Sequence, residues 1–277
     1  MVDDERRATA RRPVMRHGPG DAGESAEDDV AVEAPLEIRL GGETLAITMR
    51  TPGDDRELAL GFLLAEGVIA SLADVGGAAH CGRPGDEGYG HTLDVQPGPG
   101  AALDAAEHPS LRRGTLTTSA CGVCGRKSIE DLLERIPRRH APEPLPLPLL
   151  TRSIELLAAG QSRFERTGGT HAATAISRAG EALFTREDVG RHNAVDKVVG
   201  ALLLSRALPL PPAPGADSPA VLAVSGRVSF EIVQKAAVAG FVAVCGISAP
   251  TSLAIDLAAS AGLTLAAFVR NGRLNVY

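Results

Sequence analysis

Between residues 219 and 270 short apolar runs alternate with amphipathic ones. AVLAVS, FVAVCGIS and LTLAAFVR are nearly continuous in apolar residues, whereas SFEIVQKAAVAG and SLAIDLAASAG repeat theirs at helical intervals. Strand, helix, strand, helix, strand at this spacing predicts right-handed crossovers and a parallel sheet buried on both faces. Upstream, TRSIELLAAGQSRF predicts a helix, and Ala175 and Ile176 begin a strand that pairs with EALFTRED. GRHNAVDKVVGALLL carries Ala194, Val195, Val198, Val199 and Leu202 on one helical stripe.

The first half follows another pattern. PLEIRLGGETLAITMRT alternates Leu36, Ile38, Leu40 and then Leu45, Ile47, Met49 around Gly41 and Gly42, which predicts a hairpin with a glycine turn. DDRELALGFLLAEGVI predicts a helix with an acidic start and Leu58, Phe62 and Leu63 on one face, and a strand is expected near His91 to Val95. TTSACGVCGRK is irregular and runs into SIEDLLERI, a helix capped by Ser128. APEPLPLPLL places Pro142, Pro144, Pro146 and Pro148 at alternate positions, an extended connector. Residues 1–29 have no periodicity and read as a disordered tail. The expected organisation is therefore that tail, a small α+β portion over 30–140 ending in the cysteine loop, and a three-layer α/β domain over 150–277.

At 277 residues, 44% hydrophobic and 22% charged, the chain can bury a sizeable core. No apolar run approaches the roughly 20 residues of a membrane span, so a soluble, cytoplasmic protein is expected. A net charge of −6 and 3% aromatic residues speak against nucleic-acid binding. Of 28 basic residues only Lys127, Lys197 and Lys235 are lysine. Such lysines mark places where a planar guanidinium does not substitute for a compact ammonium.

Cys121 and Cys124 admit several readings. Structural zinc needs four ligands, and no second CxxC or CxxH pair accompanies them, since His80 and Cys81 are adjacent and Cys245 falls in a strand. A thioredoxin-like dithiol needs a strand leading into a helix, and residues 115–120 are too polar for a clear strand. A persulfide carrier needs an accessible thiolate on a mobile loop. Arg126, Lys127 and a helix start would lower the thiol pKa, and Ser119, Ala120, Gly122 and Gly125 give reach. Two incidental surface thiols are the remaining alternative.

Strand ends in parallel sheets hold ligands, and here they carry Ser225, Gly226 and Arg227, then residues 248–251, then 270–273. Two of these sites open helices, which favours an anionic ligand. EDVGRHNAVDKVVG gathers Glu187, Asp188, Arg191, His192, Asn193, Asp196 and Lys197 at a helix entrance, more unlike polar types than capping requires. His171 invites comparison with zinc deaminases, but Ala173 stands where their catalytic glutamate would be and no PCxxC follows.

In order, SACGVCGRKSIE, GGTHAA, EDVGRHNAVDKVVG, SGRVSFEIVQKAAVAG, SAPTSLAIDLA and GLTLAAFVRNGRLNVY resemble the formate dehydrogenase accessory sulfurtransferase family, FdhD, over about residues 30–277. The resemblance implies a cytoplasmic homodimer with a cytidine deaminase-like fold. It also implies a sulfurtransferase that takes sulfane sulfur from a cysteine desulfurase and passes it to the molybdenum bis(molybdopterin guanine dinucleotide) cofactor, destined for formate dehydrogenase apoprotein. By motif position Cys121 is the expected persulfide cysteine, with Cys124 assisting or resolving. The family's cofactor-binding stretch maps onto Phe268, Val269, Arg270, Asn271, Gly272 and Arg273; Ser225, Gly226 and Arg227 at a strand end, and His192 and Lys235, are expected to bind with it. The alternative is a guanine-nucleotide-binding accessory module, built on zinc or a dithiol, without sulfur transfer.

Overall fold

A computed structural model describes residues 8–20, 23–86, 88–101, 103–105, 145–208, 215 and 217–277. The expected helix at SIEDLLERI lies outside them.

The glycine hairpin forms as β3 (Ala34–Leu40) and β4 (Glu43–Arg50). Both turn glycines have positive φ, 59° at Gly41 and 89° at Gly42, the conformation that matches a hairpin turn to strand twist. β5 (Val75–His80) and β6 (Thr92–Pro97) complete a four-stranded sheet of order β4-β3-β6-β5. Helix α1 (Asp55–Ala65) follows β4. Beyond the expected Leu58 and Leu63, it also buries Leu60 and Leu64, while Phe62 is only partly covered.

The second sheet has six strands in the order β12-β11-β10-β9-β7-β8. β7 (His171–Ser177) and β8 (Ala182–Asp188) pair antiparallel. β9 (Pro219–Val224), β10 (Ala243–Gly246) and β11 (Thr264–Arg270) run parallel, as their apolar runs predict. β12 (Arg273–Val276) adds an antiparallel edge. In β9, Leu222 and Val224 face one core while Val221 and Ala223 face the other, the period-2 pattern of a sheet covered on both sides.

α2 (Leu147–Ala159) covers one face through Leu149, Leu150 and Leu157. α4 (Arg191–Leu204), α5 (Phe230–Ala239) and α6 (Ser252–Ala261) cover the other, making three layers. Each such leucine, fully buried, contributes about 1.5–3 kcal/mol. The same buried cluster continues from α4 through α1 to Leu36, Ile38, Leu93 and Val95 of the small sheet, so both halves of the chain share one core.

Three expectations are corrected. Residues 9–31, read as mostly disordered tail, form a hairpin of β1 (Thr9–Arg16) and β2 (Glu24–Ala31). Its pairing is ionic rather than apolar: Arg11 faces Asp29, Arg12 faces Asp28 and Arg16 faces Glu24 in register. The last prolines belong to α2, where Pro146 is the N-cap and Pro148 lies in the first turn, which needs no amide donor. That helix stops at Gly160, and a separate short helix, α3 (Ser162–Thr167), follows.

Candidate functional site

Three strand ends lie side by side. The Ser225 amide donates to the Ala172 carbonyl at 3.0 Å, and its Oγ accepts from the Ala172 amide at 2.9 Å. Val228 donates to Ala249 at 3.1 Å, and the Phe268 amide donates to the Ser248 carbonyl at 3.2 Å. Because β7 runs antiparallel to β9, His171 arrives at this same edge, opposite Asp188.

Residues 268–273 leave regular strand geometry. The pairing of β11 with β12 shifts register between Ala267 and Arg270, while Phe268 and Asn271 hold φ of 54° and 50°. A phenylalanine there costs on the order of 1–3 kcal/mol, strain that the neighbouring strands sustain. The bulge turns Phe268 outward, 38% exposed, above an open groove of about 800 Å³ lined by Arg270, Asn271, Arg273, Leu274 and Asn275. Val269 points the other way, into the core. Gly272, at φ 71°, completes the turn, and Arg227 is exposed on the adjoining loop.

Beneath this edge lies a buried polar network. Asp188 accepts from the Thr51 amide at 3.0 Å, the Gly190 amide at 2.8 Å and Asn193 Nδ2 at 3.0 Å, and pairs with Lys197 at 2.8 Å. Lys197, fully enclosed, also donates to the Thr51 carbonyl at 2.9 Å. Glu187 accepts from the Arg163 and Phe164 amides at 2.8 and 2.7 Å and from the Thr170 hydroxyl at 2.9 Å, satisfying the start of α3. Two contacts one turn apart bridge α4 and α5: His192 Nε2 to Glu231 at 2.8 Å, and Lys235 to both Asp196 oxygens at 2.6 and 2.9 Å.

The residues expected to bind the cofactor fall in two different places. Lys235 is buried against Asp196, with Phe62 beneath its ammonium, and does not face the strand-end groove. His192, also buried, bonds across to α5. Ser225, Gly226, Arg227 and residues 268–273 do share one edge. Cys121 and Cys124 lie outside the described residues, as do Arg126 and Lys127. Of the other cysteines, Cys81 is partly exposed, whereas burial pushes Cys245 up to about 11.

Two residues that the sequence had singled out for other reasons, His171 and Arg191, also belong to this edge. His171 is half-buried, and its pKa is lowered by burial and then by Arg191 and His192. Arg191 begins α4, and its Nε is buried with no hydrogen-bond partner among the described residues. Among those residues no group of three or more His, Cys, Asp or Glu converges as metal ligands would, and no helix is long and apolar enough to cross a membrane.

The FdhD/NarQ family description matches residues 31–277. A protein of Anaeromyxobacter dehalogenans named sulfur carrier protein FdhD is 54% identical over 270 residues, covering 98% of this chain and 92% of its own. A Streptomyces coelicolor protein of the same name is 45% identical over 281 residues, covering 98% and 94%. A crystal structure of a Desulfotalea psychrophila protein, assigned as a formate dehydrogenase accessory protein, superposes with a TM-score of 0.72 at 24% identity, covering 97% of this chain and 96% of its own. The similarity runs through both sheets and the loops of this edge, and the chain belongs to the FdhD/NarQ family.

Proposed function

We propose that this protein is a sulfur carrier in the maturation of formate dehydrogenase. The observation that carries the reading is the near full-length identity with proteins named sulfur carriers. In this reading the Cys121 thiolate attacks the sulfane sulfur of a desulfurase persulfide and expels the donor cysteine as a thiolate. The Cys121 persulfide then releases that neutral sulfur to an acceptor that supplies the bonding electron pair, and Cys121 returns to thiolate. Cys124 assists or resolves, and Arg126 and Lys127 steady the anionic sulfur.

The acceptor is the molybdenum bis(molybdopterin guanine dinucleotide) cofactor, handled as substrate. The outward Phe268 and the arginines at 227, 270 and 273 support a place for it at the strand ends, where they suit a flat base and phosphates. A cytoplasmic homodimer and a cytidine deaminase-like arrangement of the large sheet belong to the same reading. The mixed order, with β7 antiparallel to three parallel strands, supports the latter.

The test is incubation of the full chain with a cysteine desulfurase and cysteine, followed by peptide mass spectrometry. One added sulfur is expected on the Cys121 peptide, kept in Cys124→Ala and lost in Cys121→Ala. An adduct that survives Cys121→Ala would refute the assignment.

A further inference from the structure

β5 lies at the edge of the small sheet and is weakly anchored there. None of its six residues is fully buried, whereas β3, β4 and β6 each bury two or more. Its pairing with β6 shifts register between Val75 and Gly77, and Gly76 and Gly77 bring no side chain to hold it. The last residue, His80, is tied down on several sides. Its Nδ1 lies 3.2 Å from the Thr92 carbonyl on β6, and its Nε2 lies 3.2 Å from Asp55 Oδ2 at the start of α1. Tyr89 tilts against the ring, with centroids 5.8 Å apart. Beyond Asp55, Arg50 at the end of β4 bonds both carboxylate oxygens at 2.9 Å and also reaches the Ala34 and Gly90 carbonyls at 3.2 and 2.8 Å. Both nitrogens of His80 therefore face oxygens that only accept. A neutral imidazole has one N–H and satisfies one of them, whereas the imidazolium has two and satisfies both.

We infer that His80, with Asp55 and Arg50, is a proton-operated clasp that fastens the β5 edge to the start of α1, shut as imidazolium and loosened when the ring gives up a proton. Among the described residues, Asp55 and Arg50 are the charged groups that face the ring, and Lys197 of α4 acts on Asp55 from behind. The hydrogen bond to Asp55 raises the His80 pKa above its ordinary 6.5, against burial and against Arg50. Burial works against the Asp55 charge, but bonds from His80 and Arg50 hold that carboxyl below its ordinary 3.8, so it stays ionised wherever the clasp operates. A base whose pKa rises on folding gives stability that is fully present below its unfolded value and lost as pH rises through the folded one. The clasp is therefore shut below about pH 6.5 and opens on the alkaline side. It stands one residue from the network beneath the strand ends, because Thr51, next to Arg50, holds Asp188 through its amide and Lys197 through its carbonyl. The inference rests on these residues and not on the sulfur-carrier reading.

The test compares hydrogen–deuterium exchange of the full chain with that of His80→Gln from pH 5.5 to pH 9, read by mass spectrometry on the peptide spanning 75–81. Comparing the two proteins at each pH cancels the intrinsic pH dependence of exchange. At pH 5.5 the variant is expected to exchange about tenfold faster than wild type, the range of one charged hydrogen bond, and the gap should close towards pH 9. Peptides from β9 should match throughout. A second readout needs no variant: nitrogen-15 spectra of the wild-type imidazoles should show His80 protonated at both nitrogens at pH 6.5 and losing a proton only above it. That spectrum decides the matter even if His80→Gln does not fold. A neutral His80 at pH 6.5 overturns the proposal, and so does an exchange gap that is absent at pH 5.5 or constant with pH.

Discussion

Replacing Lys235 by Met tests whether this lysine serves the fold or the ligand. Its ammonium is 2.6 and 2.9 Å from the two Asp196 oxygens, and both residues are buried. Removing one partner of such a pair leaves an uncompensated charge, at a cost of about 3–5 kcal/mol near pH 8. At roughly 2–4 °C per kcal/mol for a chain of this size, melting should fall by about 6–20 °C. The loss should depend on pH. Burial already pushes Asp196 from 3.8 up to about 6, with Lys235 pulling it down. A carboxyl raised on folding adds stability that is fully present below its unfolded pKa and lost as pH rises through the folded one. Without the ammonium that upper limit moves higher still. Asp196 is then neutral over more of the range, and the deficit against wild type should shrink from pH 8 to pH 5. Thermal melts of both proteins across that range provide the measurement. A deficit under 2 °C at pH 8, or one that does not change with pH, would refute the reasoning. Loss of GDP affinity in a stably folded Lys235→Met would return the lysine to the binding site.

Gly200→Ala should destabilise by about 3 kcal/mol in denaturant titration, since its methyl would overlap the Glu57 carbonyl where α1 crosses α4. Gly77→Ala, with open space around it, is the matched control and should be neutral. Alkylation of the native protein at pH 8 followed by peptide mapping should modify Cys81 and spare Cys245. Early modification of Cys245 would contradict its burial. Removing residues 1–31 should shift melting by less than about 4 °C, about 1 kcal/mol, because β1 and β2 contribute no residue to either core cluster. A larger drop would mean that the charged hairpin supports the body of the fold.

What the sequence reveals here depends on how far apart the interacting residues lie. β9, β10 and β11 were legible because burial on both faces makes a strand continuously apolar, a local property. α4 was legible as a helix but not as a fully enclosed one. A search for apolar positions skips His192, Asn193, Asp196 and Lys197, all buried with partners far off in the chain, such as Thr51 and Lys235. The β1–β2 hairpin was missed for a related reason: its alternation is one of charge, legible only once Arg11, Arg12 and Arg16 are folded back onto Asp29, Asp28 and Glu24. The scarcity of lysine did carry structural meaning. Lys197 and Lys235 each hold one buried aspartate in a space that suits a compact ammonium. That meaning concerns the interior, where Lys235 meets Asp196.

The same network bears on the anion site proposed for the strand ends of this acidic chain. Net charge describes the field far from the surface, whereas a bound phosphate responds to the groups within a few ångströms. At the strand-end edge the nearby carboxylates are already committed. Asp188 faces Lys197, Asp196 faces Lys235, Glu231 faces His192, and Glu187 caps α3. Asp188 also accepts from the Gly190 amide at the start of α4 and Glu187 from the amides that open α3, while Arg191 Nε has no hydrogen-bond partner among the described residues. In the proposed function the buried acid–base pairs bear on binding without touching a ligand: they engage the acids beneath the rim arginines and tie α4 to α5.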